Sequence, residues 1–499
     1  MTQESATPRP RSGRRLAALA LACCALAPAP AAAAVKITTD PKLKPSFKRY
    51  VSDFVSRCDA GEPLRFSVKA TEGDRVAIGG KPLRGGEFTA GVTRRAGDQV
   101  TVRVRRDGRT TTHHVRCLPK DFPQYSVKRY RKPQAQAYVL APIGPQTEGY
   151  VAIFDARGVP IWWWYTSEYG PWDGKVLPNG NMIWGRQYND RFGMRPEEAA
   201  EEHRLDGSLV RTLRTEGSPT DMHDVVLTPE GTYLMITYRK RCCVDLREYG
   251  AEKGATVYDG EIQELAPNGK VLWRWNSRGH FKLSETTWWP HIVKGMEKEQ
   301  PANRAYDLVH INSVEPDGDG IVVSARFIDA AFRIDKATGA IDWKLGGVKR
   351  KASLKILDDR YADNPLSGNH DARVFPDGTV TVHDNATRAK RRPRAVRYRI
   401  DTKKRTAKLL EDIEPAEYPF SGWGGSSRKL PEGNWVNYWG GNDRMTEITP
   451  GHKKVLDLTF KNRRWSYRAI PVPRGQLKTS AIRRGMTALA KTGFAAPRR

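Results

Sequence analysis

No stretch beyond the first 34 residues approaches the run of about 20 apolar residues that a helix needs to cross a bilayer, so no transmembrane segment is read in the chain. The sequence also lacks a Gly-x-x-x-x-Gly-Lys-Ser/Thr loop, a His-Glu-x-x-His pair and a Gly-x-Ser-x-Gly elbow. Those absences exclude the common phosphate cradle, the zincin metal site and the α/β-hydrolase nucleophile. Acidic residues are few, 56 against 84 basic ones, which leaves a formal charge of +28 with a hydrophobic fraction of only 39%. Such a surface suits anionic ligands, and its sign alone does not choose among them. The basic runs 349–351 and 390–394 lie between strand-like segments without interleaved aromatics or a helix-turn-helix pattern. They read as solvated loops, and no nucleic-acid partner is expected.

The N-terminus sets Arg11, Arg14 and Arg15 before an apolar run from Leu16 to Leu26 and an Ala/Pro stretch ending at Ala34. A basic region, a short apolar core and small residues make a secretory signal peptide over 1–34, so the mature protein is expected to be secreted or to lie in the periplasm or cell envelope. Arg14-Arg15 also fits a twin-arginine signal and Leu21-Ala22-Cys23 a lipoprotein site, neither well formed, which leaves the export route open. The segment holds four arginines and one glutamate, so the basic excess belongs to the mature chain. Oxidising compartments permit disulfides. Cys58 and Cys117 bracket the N-terminal region and are expected to staple it. The adjacent Cys242 and Cys243 read equally as a strained vicinal disulfide or as free thiols in a loop.

Over 35–120, short alternating runs such as 64–68 and 100–104 are separated by Gly-rich turns, the pattern of a small β-sandwich. Residues 121–136, with Pro123 and Pro133, read as a linker. Beyond them, over 137–475, the chain repeats itself. Pro-x-Gly turns recur at Pro178, Pro229, Pro316, Pro376 and Pro431, each between two apolar segments, and each marks a hairpin. A second hairpin unit alternates with the first, at 152–163, 204–213, 262–275, 332–343, 396–410 and 446–458. Two hairpins make a four-stranded sheet, and such sheets repeated every 50 to 60 residues or so, roughly, make a β-propeller. Six outer hairpins imply six blades, with an insertion at 278–306 and a last blade that joins the C-terminal strands near 465–472 to the first outer hairpin. Residues 476–499 read as a basic C-terminal tail. The expected fold class is all-β, a six-bladed β-propeller preceded by a small β-sandwich.

Six residues before each of those prolines stand Trp172, His223, His310, His370 and Gly425. With ten histidines in 499 residues, three in five equivalent slots is not the outcome of random placement. Equivalent positions in successive blades converge on the axis, so the three imidazoles are expected at one mouth of the channel. Imidazoles around a common point suit a metal, or an anion with one ring attacking as a nucleophile. Asn312 stands two residues after His310 on the same strand face, and Arg326 comes from the paired strand. A guanidinium repels a divalent cation and matches a tetrahedral oxyanion with its fork of donors. The anion reading is therefore preferred, with no cofactor and no metal. Asp224 and Asp371, beside two of the histidines, keep the metal reading open; regular strands turn them away from the axis into supporting roles.

The motifs Met222-His223-Asp224, His310-Ile311-Asn312-Ser313 with Val323-Ser324-Ala325-Arg326, the run 339–347, and above all Asn369-His370-Asp371-Ala372-Arg373 with Pro376-Asp377-Gly378 and Asp384-Asn385 carry a resemblance. The chain resembles the bacterial arylsulfotransferases, six-bladed propellers that work without a nucleotide sulfate donor, over residues 137–473. The resemblance implies a ping-pong reaction in which a histidine takes the sulfuryl group of an aryl sulfate and a phenol collects it. In that scheme His370 is the nucleophile, His223, His310, Asn312 and Arg326 bind the sulfuryl oxygens, and His223 or His310 protonates the leaving phenolate. In the fifth slot Gly425 stands in place of histidine, and the following Ser426 is the candidate for a hydroxyl contact to the sulfuryl group. Trp172 and Trp423 are candidates for stacking on a phenol, while Trp163 and Trp164 read as core. The expected partners are small aryl sulfates and phenols, and a homodimer is left open. Two other readings stand beside this one: a secreted propeller that binds anionic or phenolic ligands without turnover, and a metal-dependent propeller hydrolase.

Overall fold

The structure is a computed structural model that describes residues 35–496 except 59–60, 145–148, 189–192 and 419; the export segment expected over 1–34 lies outside the described residues. Among the described residues, regular structure is β-strand apart from three 3-10 turns and two helices, α1 (Trp289–Met296) and α2 (Thr479–Leu489). No helix among the described residues is long and apolar enough to cross a membrane.

Alternation builds the N-terminal unit. In the strand Pro63–Ala70, Leu64, Phe66 and Val68 are buried while Arg65, Ser67 and Lys69 face out, as in a sheet with one dry face. This strand lies between Lys36–Asp40 and Gly86–Thr93, and shares its core with a second sheet ordered Asp53–Arg57, Arg109–Leu118, Gln99–Arg106, Arg75–Ile78. The expected sandwich is present, and Cys58 is bonded to Cys117 across 59 residues. Closing a loop of that length restricts the unfolded chain, so replacing both cysteines by serine should destabilise the unit by about 2–5 kcal/mol. A urea unfolding curve followed in the sandwich should show an earlier midpoint; an unchanged midpoint would mean that the bond contributes nothing.

The remaining strands form six sheets among the described residues. Their innermost strands are Ala469–Val472, Gly170–Val176, Thr220–Leu227, Ile311–Asp317, His370–Val374 and Ser426–Lys429; each contacts the next, and the last returns to the first. That arrangement is a β-propeller. The Pro-x-Gly turns close inner hairpins, as between Gly170–Val176 and Met182–Gln187. Ala469–Val472 pairs with Ala137–Leu140, which pairs in turn with Gly149–Asp155, so the two ends of the propeller region meet in one sheet. Trp163 is fully buried and donates its Nε1 hydrogen to the Ala495 carbonyl at 2.8 Å, and Trp164 stacks on Phe494 at 4.1 Å.

Two segments carry more structure than their composition implied. The stretch read as a linker contains Tyr125–Arg129, an outer strand on Lys454–Phe460. The stretch read as a tail contains α2, which buries Ile482, Met486 and Leu489 in the core that holds Trp162 and Trp163. Arg483 of α2 pairs with Asp53 of the sandwich, Nε to Oδ1 at 2.7 Å. Arginines in the sequence hid the apolar face of an amphipathic helix.

Candidate active site

At the head of four inner strands the ladder register slips: between Trp172 and Lys175, Asp221 and Val225, Ile311 and Ser313, and His370 and Arg373. A bulge adds a residue to one strand and re-aims the side chains beside it. Asp173, His310 and Asp371 accordingly take φ values of 50°, 55° and 57°, a region that L-residues occupy only where their surroundings hold them. Strict alternation therefore fails at the slots in question, and the adjacent His223 and Asp224 are both buried.

The three histidines converge. The His223 and His310 rings lie 4.8 Å apart, edge to face, and Tyr467 packs 5.7 Å from His223 and 6.2 Å from His370. Each Nδ1 is engaged: His223 by Asp221 at 2.8 Å, His310 by Asp307 at 2.6 Å, and His370 by the Gly368 carbonyl at 2.9 Å and Asn385 Oδ1 at 2.8 Å. A carbonyl accepts only, so His370 Nδ1 donates and its Nε2 carries a lone pair. The Gly424 N–H donates to that lone pair at 3.1 Å. Burial first, then Arg326, holds the His370 imidazole well below the ordinary histidine value. Burial and Arg468 push His223 down to about 3, and burial pushes Asp221 up to about 7. His310 is lowered by burial, with Asp307 opposing.

Arg326 completes the cluster. Its backbone N–H donates to the His310 carbonyl at 2.9 Å, its guanidinium lies 4.5 Å over Trp288, and Nη2 donates to the Gly422 carbonyl at 3.0 Å. Among the described residues no carboxylate is paired with it, and its Nε has no hydrogen-bond partner. Burial lowers its pKa to about 10, which leaves it cationic at neutral pH. Asp329 and Asp307 act on its charge without forming an ion pair with it, and a guanidinium fork with a free donor matches an oxyanion. Beside His310 opens a cavity of about 320 Å³ lined by Asp307, Phe327, Tyr238, Tyr258 and, from α1, His291 and Met296. Aromatic walls at this volume fit a small aromatic molecule. A larger cleft of about 980 Å³ lies where Arg94 and Arg95 face Ala495, and none of the histidines lines it.

The family model for arylsulfotransferase (ASST) matches residues 199–461, a span that holds the three histidines, Arg326, Asp221, Asp307 and Asn385. The chain belongs to the arylsulfotransferase family. No curated protein matches it. Among solved structures it is similar to a protein of unknown function from Bacteroides caccae, at 12% identity over 68% of this chain and 99% of that one, with a TM-score of 0.40. It is also similar to the β-propeller domain of Cps50 (Swd1) from Myceliophteria thermophila, at 10% identity over 68% and 89% of the two chains and a TM-score of 0.35. A third likeness is to virginiamycin B lyase from Staphylococcus aureus, at 9% identity over 72% and 91% with a TM-score of 0.33. None of these likenesses bears on activity.

In this arylsulfotransferase-family chain, Asn312 and Ser426 make their hydrogen bonds to backbone groups of neighbouring blades. Beside the bulge at 311–313 the Asn312 Nδ2 donates to the Asn369 carbonyl at 2.8 Å, while its buried Oδ1 has no hydrogen-bond partner among the described residues. The Ser426 hydroxyl exchanges hydrogen bonds with the Ala469 peptide, donating to its carbonyl and accepting its N–H, both at 3.1 Å. Gly425 fills the fifth slot for a steric reason: its φ is +99°, and a Cβ there would lie 2.5 Å from His383 Nε2 and 2.9 Å from the Tyr438 carbonyl. Trp172 is buried against Tyr467, ring centroids 4.7 Å apart, and the exposed Trp423 meets Trp465 edge-on at 4.4 Å.

Asp224 and Asp371 belong to a buried ionic network. Asp224 pairs with Lys175 and Arg373, each at 2.7 Å; Asp371 pairs with Arg373 at 2.9 Å and Arg428 at 2.6 Å. Arg468 reaches Asp173 at 3.0 Å, Asp371 at 3.3 Å and Asp224 at 3.4 Å, and Arg373 takes Glu315 at 2.8 Å. Every inner strand, or its immediate flank, contributes a member. Among the described residues no group of three or more His, Cys, Asp or Glu side chains is arranged to hold a metal ion.

Sequence reasoning missed Asp221, Asp307 and Tyr467, and it named Asn385 within a motif without giving it a role. The two aspartates stand two and three residues before their histidines, a spacing that the sequence displays. Asn385 lies two residues beyond His383, the strand partner of His370. Tyr467 enters from the chain end that closes the ring, and no local pattern announces it.

Proposed function

We propose that the protein moves a sulfuryl group from an aryl sulfate ester to a phenolic acceptor by way of a sulfohistidine on His370. The observation that carries this reading is a neutral His370 imidazole, held through Nδ1 by Gly368 and Asn385, beside the Arg326 guanidinium, with which no described carboxylate forms an ion pair. Family membership supports the same reaction class.

In the first half-reaction the aryl ring occupies the cavity beside His310 and the sulfate meets Arg326. His370 Nε2 exchanges its contact with the Gly424 N–H for a new bond to sulfur, and the bond from sulfur to the phenolic oxygen breaks. Fixed cationic donors offset the charge that shifts onto oxygen. His310 enters protonated, the form Asp307 favours against burial, and gives that proton to the departing phenolate, which leaves readily enough to need little help. In the second half the acceptor phenol returns its proton to His310, its oxygen attacks sulfur, and the N–S bond breaks. The Ser426 hydroxyl is engaged by the Ala469 peptide, whereas the buried Asn312 Oδ1 has no hydrogen-bond partner among the described residues.

An aryl sulfate that releases a coloured phenol tests the reading: release should rise with added acceptor phenol and persist in chelator. Loss in chelator would favour the metal-dependent hydrolase, and binding without release a non-catalytic propeller. Two finer outcomes follow. Asn385→Ala removes one of the two groups that orient His370, so kcat should drop about 100-fold; an unchanged kcat would remove Asn385 from the positioning of the ring. Since the folded-state pKa of His370 lies well below 6.5, its attacking form persists as pH falls through 6.5. The acid limb of kcat/KM should therefore appear well below that value, and a limb at the ordinary histidine value would contradict the buried, neutral ring.

A further inference from the structure

Cys242 and Cys243 lie outside everything described so far. Both are exposed and free, although cysteine is ordinarily a buried side chain, so packing does not account for them. They stand near the end of Tyr233–Val244, where the ladder to Ala255–Leu265 pairs Arg241 with Val257 and then Val244 with Ala255. Two residues thus face one, and the two cysteines are themselves the bulge. In a regular strand neighbouring side chains point to opposite faces and adjacent sulfurs stay apart. Here Cys243 takes a φ of 71° and the two Sγ atoms lie 2.7 Å apart.

We propose that this pair is a thiol–disulfide exchange site that cycles between two thiols and a vicinal disulfide against a small-molecule disulfide, R–S–S–R. The hydrogen bond shared with Cys242, and then the charge there, push the Cys243 thiol up, so Cys242 is assigned as the attacking sulfur and Cys243 as the one that resolves the mixed disulfide. The Cys242 proton goes to solvent, its sulfur bonds to one sulfur of R–S–S–R, and one R–S⁻ leaves and takes a proton. Cys243 then loses its proton and attacks Cys242 Sγ, expelling the second R–S⁻, which is protonated in turn. The cysteines give up two electrons and two protons, and the oxidant takes up both. Neighbouring Cα atoms, about 3.8 Å apart, are closer than the 4.4 Å or so at which ordinary disulfides begin, so the bond is strained and returns readily to thiols. The bulge sits close to the site: beyond Val257, Tyr258 pairs with Asp307, the carboxylate that engages His310.

The test uses the full chain equilibrated in mixtures of reduced and oxidised glutathione, then labelled natively with a maleimide and read on the tryptic peptide 242–247. At low oxidant the peptide should carry two labels. At high oxidant it should carry none, weigh two hydrogens less, come from monomeric protein and regain both labels after dithiothreitol. Cys243→Ser should instead hold a stable glutathione adduct on Cys242. Two labels at every ratio, or label loss only through covalent dimers or lasting glutathione adducts in the native chain, would overturn the proposal.

Discussion

His370→Ala lowers the release of phenol from an aryl sulfate by at least about 10⁴-fold, the scale on which loss of a covalent nucleophile is felt when the rest of the site survives. The variant should still bind the donor, because Arg326 and the cavity beside His310 are untouched, so the loss falls on kcat more than on KM. Small residual catalysis is expected from the fixed donors alone. The measurement is steady-state kinetics with a chromogenic donor and saturating phenol. Turnover of the variant within tenfold of the native rate would take His370 out of the mechanism.

Arg468→Met has the largest expected effect on stability. Arg468 is fully buried and reaches Asp173, Asp224 and Asp371, and its Nη2 donates to the Asn312 carbonyl at 2.6 Å. Removing one member of such a network leaves carboxylates buried without their partner, which costs about 3–5 kcal/mol. Thermal unfolding should begin several degrees earlier, and a native-like melting curve would contradict the role given to the network. The same charges set an acid limit. Arg373 holds Asp224, and Arg428 holds Asp371, well below the ordinary carboxylate value, against the opposing effect of burial. A group with a depressed folded-state pKa contributes its stability in full above the unfolded value, about 3.9, and loses it as pH falls through the folded value. Acid unfolding should therefore set in below the range where free aspartate titrates, and Arg468→Met should raise its midpoint.

Much of this was legible in the sequence, for identifiable reasons. Pro-x-Gly turns are local, so each inner hairpin showed itself, and repetition made residues far apart in the chain equivalent. That equivalence picked out His223, His310 and His370, and hairpin pairing added Arg326. What escaped depended on departures from regular strand geometry or on contacts between chain ends. Alternation put Asn312 on the same face as His310, and the irregular register at 311–313 gives its Nδ2 the Asn369 carbonyl as partner. Ser426 followed a blocked slot, and its hydroxyl is taken by Ala469. Tyr467 and Arg468 arrive with the strand that closes the ring, more than 80 residues after the last histidine of the site, and only three-dimensional closure brings them in. The strand Tyr125–Arg129 and α2 were masked by prolines and arginines that suggested linker and tail.

The most direct measurement mixes the protein with an aryl sulfate in the absence of acceptor and follows both phenol release and the mass of the peptide that contains His370. One equivalent of phenol should appear in a burst, and that peptide should gain one SO₃, lost again when a phenol is added. Absence of the burst, or an SO₃ adduct on any residue other than His370, would contradict transfer through this imidazole.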